Sequence, residues 1–450
     1  MLAAASVCAL SMAAPVEARQ YAAPGFERSL RGGERAQMLE ALEAAPSHGL
    51  PDYGVSPHMS DAELERAVIA YAAAMRGQRM AGRFIADWTL QPARYNAASA
   101  YRSALQGRRV GAWLDSLAPR NQSYETLRGA LVHYREIQAR GGWGKLGPTV
   151  LKIGSRGPAV AALRARLAVE AGGGRIGGEE MVFDEWLADT LRQEQQRLGA
   201  PVTGALDKAT IAALNVPVEA RIATLEANLE RERWLPSVLP SYRIEVNVAA
   251  QQLEALRGDR VLLAMRTIVG RPSDPTPMLS DVVEGAVFNP PWNVPTKIAK
   301  NQIWPKAQKD KAFLVRNDYL VLPGGMLQQR PGPKSALGKI KFEMTNPMAI
   351  YLHDTPSKDL FGKDLRAFSN GCVRIERPRD LADLLFGHER DWRPEAIEAA
   401  IDSGETTRAS MREPVPVFTL YRTAFVGSDG QVNFRSDVYK WDAKLHALLG

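Results

Sequence analysis

Cysteine is nearly absent from this chain: its 450 residues contain only Cys8 and Cys372. Residues 2–14 form an apolar run rich in small side chains. Val16, Glu17 and Ala18 then supply the small-x-small spacing of a signal-peptidase site, so cleavage after Ala18 and export are expected. A positively charged stretch ahead of that run is missing, which reads as a start codon placed too late. Cys8 departs with the leader. In an oxidising compartment one remaining cysteine cannot form an internal disulfide, so Cys372 is an inert buried thiol, an intermolecular link or a reactive group. Long hydrophobic runs are also lacking: beyond residue 20 none spans a bilayer, which excludes a membrane-spanning mature body. Histidine is scarce, with six residues and no pair at metal-ligand spacing, so neither a metal nor another cofactor is expected. The net charge of +7 is scattered rather than gathered into a stripe, and together with export this disfavours nucleic acid as a partner.

What is present is ordinary globular material, 45% hydrophobic and 24% charged, in a chain too long for one core. Residues 19–58, rich in Ala, Gly, Pro and Arg, read as a leader of low order with a short helix over 34–45. From Ser60, an N-cap ahead of Leu64, Val68, Ala72 and Met75, the period becomes helical, and further helices are expected over 97–105, 109–117 and 124–139. This gives an all-helical domain over 59–145. Residues 146–216 carry three turn-plus-helix echoes, with Thr203 or Asp207 available as a cap. A charged helix over 217–240 ends at Pro236 and Pro240 and reads as a linker.

Past Ser241 the period drops to two. Ile244, Val246 and Val248 alternate with polar neighbours, the turn Arg257-Gly258-Asp259 closes a hairpin, and further strands are expected over 282–288, 349–353, 417–426 and 431–434. A β domain therefore occupies 241–435, followed by a tail over 436–450. A Pro-, Lys-, Gln- and Gly-rich insertion, with a helix over 298–306, interrupts it. Loops of that length in compact domains are usually functional lids or disordered.

The stretch Ser369-Asn370-Gly371-Cys372-Val373-Arg374 carries the sharpest chemistry. A nucleophilic cysteine needs a neighbouring base or a positive field to form its thiolate, and Arg374 and a following helix supply charge. His353 ends an expected strand nineteen positions before Cys372, and alternation puts Tyr351 on its face. Taken singly, each is more often structural: a buried thiol, a satisfied histidine.

Together with His353-Asp354-Thr355-Pro356, Pro275-Thr276-Pro277, the run from Asn289 to Pro295 and that from Pro331 to Gly338, these motifs resemble the L,D-transpeptidases with a YkuD-type catalytic domain, most closely the large YcbB-type branch. The resemblance implies a multidomain α+β protein: a mainly β YkuD-type catalytic domain with a capping insertion over 295–338, preceded by an all-α scaffold domain and a three-helix peptidoglycan-binding-like domain. It implies an exported, periplasmic enzyme whose partners are peptidoglycan stem peptides and glycan strands. Cys372 would be the nucleophile and His353 its base. The Asp354 backbone carbonyl would orient the imidazole, and the N–H groups of Gly371 and Cys372 would form the oxyanion hole. Arg374, Ser369, Asn370, Tyr351, Trp292 and Trp304 would contact substrate, with Tyr319 a further aromatic candidate in the insertion.

Asn370 stands where many members of the family have histidine, which bears on how the thiol is positioned. Two other outcomes stay open. Water as acceptor would make a carboxypeptidase on the same thioester, and loss of turnover would leave a wall-binding scaffold. The three-helix unit is equally a spacer, and the aromatic residues of the insertion are equally its packing.

Overall fold

Among the residues described by the computed structural model (30–172, 176–427 and 429–449), apolar side chains gather into three large cores and one small one. The expected cleavage point at Ala18 lies outside the described residues. The first core is built by α1 (Gly32–Glu43), α2 (Asp61–Met75), α3 (Ala97–Gln106) and α4 (Val110–Asp115). Ser60 caps α2 as its spacing predicted: the Glu63 N–H donates to Ser60 Oγ at 3.3 Å and the Ser60 N–H donates to the Glu63 carboxylate at 2.8 Å. The low-order reading of 19–58 needs correction over 32–50. Met38, Leu42, Ala45 and Leu50 recur at helical spacing and are fully or almost fully buried, so this segment is a wall of the first core despite its Gly- and Pro-rich surroundings.

The second core combines α5 (Gln122–Ala139), α6 (Pro158–Glu170), α7 (Glu185–Leu198), α8 (Lys208–Leu214) and α9 (Val218–Glu232). Asp184 caps α7 and Asp207 caps α8, each accepting the N–H three residues on, at 2.9 and 2.8 Å. Two boundaries shift. The apolar stripe of α5, from Tyr124 to Ile137, faces this core rather than the first. The expected linker helix α9 is a central strut, with Leu225 and Leu229 in the second core and Ala227 in the third. Its charges mislead at the sequence level because they are paired and buried: Arg233 with Glu230 at 2.8 Å, and Arg231 with Asp442 at 2.6 Å.

The third core lies within and around the sheet. In chain order its strands and their neighbours are β1 (Tyr242–Asn247), β2 (Gln252–Arg257), β3 (Arg260–Gly270), β4 (Leu279–Phe288), β5 (Trp292–Asn293), β6 (Tyr319–Val321), β7 (Leu327–Gln329), β8 (Ile340–Met344), β9 (Leu352–His353), β10 (Ala367–Ser369), β11 (Val373–Ile375), β12 (Thr407–Leu420), β13 (Ala424–Val426) and β14 (Val432–Phe434). Nine of them bond in the order β10-β3-β11-β9-β8-β4-β12-β1-β2, and a further pairing of β2 with β3 closes the sheet on itself. Closure leaves no long free edge.

Two parts of the sequence reading are redrawn here. The β13–β14 hairpin, expected as part of the catalytic sheet, is a separate ribbon whose Ala424, Val432 and Phe434 belong to the second core, with the Phe434 ring 5.6 Å from that of Tyr134. The 436–450 tail is likewise no tail: it forms the helix Trp441–Leu449, which seats Trp441 and Leu445 in the third core. Both returns brace the catalytic unit against the helical ones.

The insertion folds as a small sheet, β5-β7-β6, beside a helical stretch over 296–309 that contains a π-helical turn at Ala299–Ile303. Val294, Ala299, Ile303 and Leu327 give it a core of its own. The expected helix over 298–306 falls inside that stretch. Among the described residues no helix is long and apolar enough to cross a membrane, and no group of three or more metal-ligating side chains occurs.

Candidate active site

Strand register brings the candidate residues together. β9 and β11 are parallel neighbours in which Val373 pairs with Leu352 and Arg374 with His353, and the Val373 N–H donates to the Tyr351 carbonyl at 3.1 Å. Side chains alternate along a strand, and paired residues on neighbouring strands share a face. Cys372 and Arg374 therefore project beside Tyr351 and His353, while Leu352 and Val373 point into the third core. Eighteen residues of intervening chain return the nucleophile loop to the strand that carries the histidine.

His353 is buried, and its Nδ1–H donates to the Asp354 carbonyl at 2.5 Å, which leaves Nε2 as the free acceptor. Burial, then the nearby charges of Arg374 and Lys341, depress its pKa to about 3, so the ring is a neutral imidazole. The Asp354 carboxylate is occupied elsewhere, accepting from Lys358 Nζ at 2.6 Å and from the Lys339 N–H at 2.8 Å. Gly338 makes that second bond possible. At φ +61 it presses so close to the carboxylate that a Cβ would sit 2.3 Å from an Asp354 oxygen.

Cys372 is half-buried. Desolvation raises its pKa, opposed by contacts from Tyr351 and by the positive charges of Lys341 and Arg374. Its Sγ lies 3.5 Å from the Ala349 carbonyl, and no hydrogen bond joins it to His353. Tyr351 lowers the pKa of the sulfur and Trp292 that of the Tyr351 hydroxyl, although no hydrogen bond joins these side chains.

The turn holding the nucleophile is pinned from below. Ser369 Oγ donates to the Cys372 carbonyl at 2.6 Å and accepts from the Gly371 N–H at 3.1 Å. Thr276 Oγ1 donates to the Gly371 carbonyl at 2.7 Å and accepts from the Gly270 N–H at 2.8 Å. Gly371 itself has φ +116, a conformation open to glycine and strained for any other residue. This corrects two expectations. The Gly371 N–H is spent on Ser369 and is not available to an oxyanion. Ser369, 2% exposed, serves the turn rather than a substrate.

Asn370 is engaged by neighbouring side chains. Its Oδ1 accepts from Gln302 of the insertion at 2.8 Å and from Arg271, so it clasps the lid to the nucleophile loop. Asp274 adds a second clasp by accepting from Lys297 at 2.5 Å and from Arg271 at 2.8 Å. Trp304 packs against the insertion's own core, and Tyr319 stacks on Phe313 at 6.2 Å. Trp292 also packs on the insertion's core, 6.5 Å from the Tyr319 ring.

Arg374 has no ion-pair partner among the described residues, and its Nε is buried without an acceptor. A guanidinium desolvated in this way beside a thiol can donate to an anion. The sequence reading missed Thr276 and Lys341. Thr276 was visible only as the middle of Pro275-Thr276-Pro277. Lys341 lies on β8, and pairing with β9 sets it opposite His353, with its Nζ 4.5 Å from the Tyr351 ring centroid.

Residues 241–386 match the family described as the L,D-transpeptidase catalytic domain, YkuD. Residues 19–131 match a scaffold domain, and 156–214 match the family named "Putative peptidoglycan binding domain". A curated protein of Haemophilus influenzae named "Putative L,D-transpeptidase" is 33% identical over 242 residues, covering 49% of this chain and 48% of that protein, so the chain spans about half the length of the relative. Among solved structures, an L,D-transpeptidase from Mycobacterium smegmatis aligns at 13% identity over 40% of this chain and 58% of its own, with a TM-score of 0.22. One from Stackebrandtia nassauensis aligns at 11% identity over 60% and 94%, with a TM-score of 0.24. Superpositions that loose carry no weight here; the family matches do. This chain carries a YkuD-family L,D-transpeptidase catalytic domain over residues 241–386, behind a scaffold domain and a domain of the peptidoglycan-binding type.

Proposed function

We propose that this protein is an exported, periplasmic L,D-transpeptidase that forms 3→3 cross-links between peptidoglycan stems through a Cys372 thioester. The observation that carries the reading is the β9–β11 register, which sets Cys372 and Arg374 beside Tyr351 and His353 on one face. Cys372 attacks the carbonyl of the third residue of a donor tetrapeptide, and His353 Nε2 takes the thiol proton. The S–C bond forms as the C–N bond to the terminal D-alanine breaks, with His353 returning the proton to the leaving amine. An amine of a second stem then attacks the thioester, His353 takes its proton, and the sulfur leaves to be reprotonated.

With the Gly371 N–H committed to Ser369, the Cys372 N–H is the backbone donor assigned to the oxyanion. Arg374 is assigned to a donor carboxylate, because an uncompensated guanidinium at that depth is stabilised when an anion arrives. The three-helix domain would hold glycan strands near the site.

Incubating the protein with disaccharide-tetrapeptide and weighing the products tests the reaction. Dimers with release of D-alanine support transfer, and their absence from the Cys372→Ala protein assigns the nucleophile. Tripeptide alone would mean that water is the acceptor. No turnover and no carbapenem adduct on Cys372, with binding to sacculi retained, would leave a wall-binding scaffold.

A further inference from the structure

Strand pairing sets a row of side chains across the sheet through His353. Arg374 on β11 pairs with His353 on β9, His353 with Lys341 on β8, Lys341 with Val287 on β4, and Val287 with Arg408 on β12. Paired residues share a face, so Arg374, Lys341 and Arg408 project on the same side as the histidine. The residues flanking Lys341 and His353, Ile340, Phe342 and Leu352, lie in the third core on the other side. Arg408 is compensated by Glu343, two positions beyond Lys341 on β8, at 2.7 Å. The Asp354 carboxylate is taken by Lys358 at 2.6 Å. What remains is one cation on either side of the base, Arg374 and Lys341, neither with an ion-pair partner among the described residues.

Lys341 is held in place with its hydrogen-bonding capacity unspent. Its side chain is partly exposed, and Nζ lies 4.5 Å from the centroid of the Tyr351 ring, which is itself edge-on to His353 at 5.5 Å between centroids. An aromatic face fixes an ammonium without supplying the oxygen acceptors that its three N–H groups can take. Neighbouring strands are about 4.8 Å apart, so the Lys341 and Arg374 backbones stand about 10 Å apart with His353 midway. Such a pair can hold two anions at once, one on each side of the imidazole. The proposed reaction brings two stems to that imidazole. Arg374, on the strand that follows Cys372, is assigned to the donor. Lys341, across His353 from that strand, is left for the molecule that delivers an amine to Nε2.

We propose that Lys341 Nζ binds a carboxylate carried on the same carbon as the acceptor amine. It thereby selects an acceptor stem whose diamino acid has that carboxylate over one whose side chain ends in a bare amine. This rests on the transpeptidase reading above. With the carboxylate on Lys341, the amine beside it is held next to His353. Its nitrogen attacks the thioester carbonyl, and the N–C bond forms as the C–S bond breaks. One amine proton passes to His353 Nε2 and then to the departing sulfur. Lys341 keeps its proton throughout and forms no covalent bond.

The test separates donor from acceptor. A donor disaccharide-tetrapeptide with its side-chain amine acetylated can acylate the enzyme but cannot accept. With that donor, dimer formation is followed by mass for two acceptor tripeptides, one containing meso-diaminopimelate and one containing lysine in its place. Wild type, Lys341→Met and Lys341→Arg are compared, with circular dichroism as a check on folding. A charge-assisted hydrogen bond is worth about tenfold or more, so the wild type should show that advantage in kcat/KM for the carboxylated acceptor. Lys341→Met should bring it down to the level of the lysine peptide, and Lys341→Arg should restore most of the preference. Equal use of the two acceptors by the wild type, or a preference that persists in Lys341→Met, would overturn the proposal. So would an equal loss with both acceptors, which marks a donor-side or structural role. Should Lys341→Met fail to fold, Lys341→Gln takes its place in the same comparison. A wild type that releases D-alanine yet makes no dimer with either acceptor would refute the transpeptidase reading and this inference with it. Dimers from both acceptors at one rate would refute this inference alone.

Discussion

Two buried histidines, far apart in the chain, should make this protein lose stability as pH falls from neutral, and each can be removed without emptying its site. His48 is 5% exposed, with Nδ1 3.0 Å from the Tyr124 hydroxyl. Burial, then the charges of Arg128 and Arg233, depress its pKa to about 3. His353 is depressed to about 3 by burial and by Arg374 and Lys341. Unfolding returns both to about 6.5. Between about pH 6.5 and 3 the unfolded chain therefore binds more protons than the folded one, and stability falls as pH falls. By linkage each histidine costs about 2 kcal/mol at pH 5 relative to pH 7.5, so the pair costs about 4 kcal/mol, a large share of a typical domain's stability. Glu170, held near 2 against burial by Arg197 and Arg166, loses its contribution only below its unfolded value of about 4.5 and so does not enter the comparison of pH 7.5 with pH 5. Asparagine places a polar atom where Nδ1 stood, so His48→Asn and His353→Asn keep the local bonds to Tyr124 and Asp354 while abolishing the titration. Urea unfolding at pH 7.5, 6 and 5 should show each variant losing about 2 kcal/mol less than wild type over that range. Equal stability of the wild type at pH 7.5 and 5, or the full wild-type loss in both variants, would refute the reasoning.

Replacing Arg374 by methionine keeps its volume and removes its charge. It should lower kcat/KM about tenfold or more for a donor with a free terminal carboxylate and change little for the amidated donor, as read from product formation with the two peptides. Thr276→Val leaves the Gly371 carbonyl and the Gly270 N–H buried without their partner. The expected cost is about 2–4 kcal/mol in urea unfolding, and an unchanged midpoint would count against the role of Thr276 in the turn. Asn370→Ala removes the acceptor shared by Gln302 and Arg271, so cleavage within 295–338 by a low dose of protease should speed up about fivefold, as one lost hydrogen bond implies.

The legibility of the site followed from range. Cys372, Arg374, Tyr351 and His353 lie in two short segments whose two-residue alternation is local, so the shared face of Tyr351 and His353 was predictable before any pairing was known. What alternation cannot supply is which strands are neighbours. Thr276 and Lys341 enter the site through β3, β8 and the loop after β3, and nothing in their own segments announces it. Ser369 and Gly371 were misassigned for a related reason. A turn's hydrogen bonds depend on φ/ψ values that a sequence only restricts, and here those values spend on Ser369 the N–H that had been reserved for an oxyanion. Asn370 looked like a departure at the substrate face because its partners, Arg271 and Gln302, are 99 and 68 residues distant.

The helices of both N-terminal cores, their Ser60, Asp184 and Asp207 caps and the switch to period two after Ser241 were set by the sequence itself. Each depends on residues within a few positions of one another. Tertiary structure alone decided that α9, charged along its length, is an interior strut, because only folding supplies Asp442 to neutralise Arg231. It alone decided that the β13–β14 hairpin and the last helix brace one core against another. Such contacts join segments far apart in the chain, and their free energy comes from burial and pairing that no local window contains.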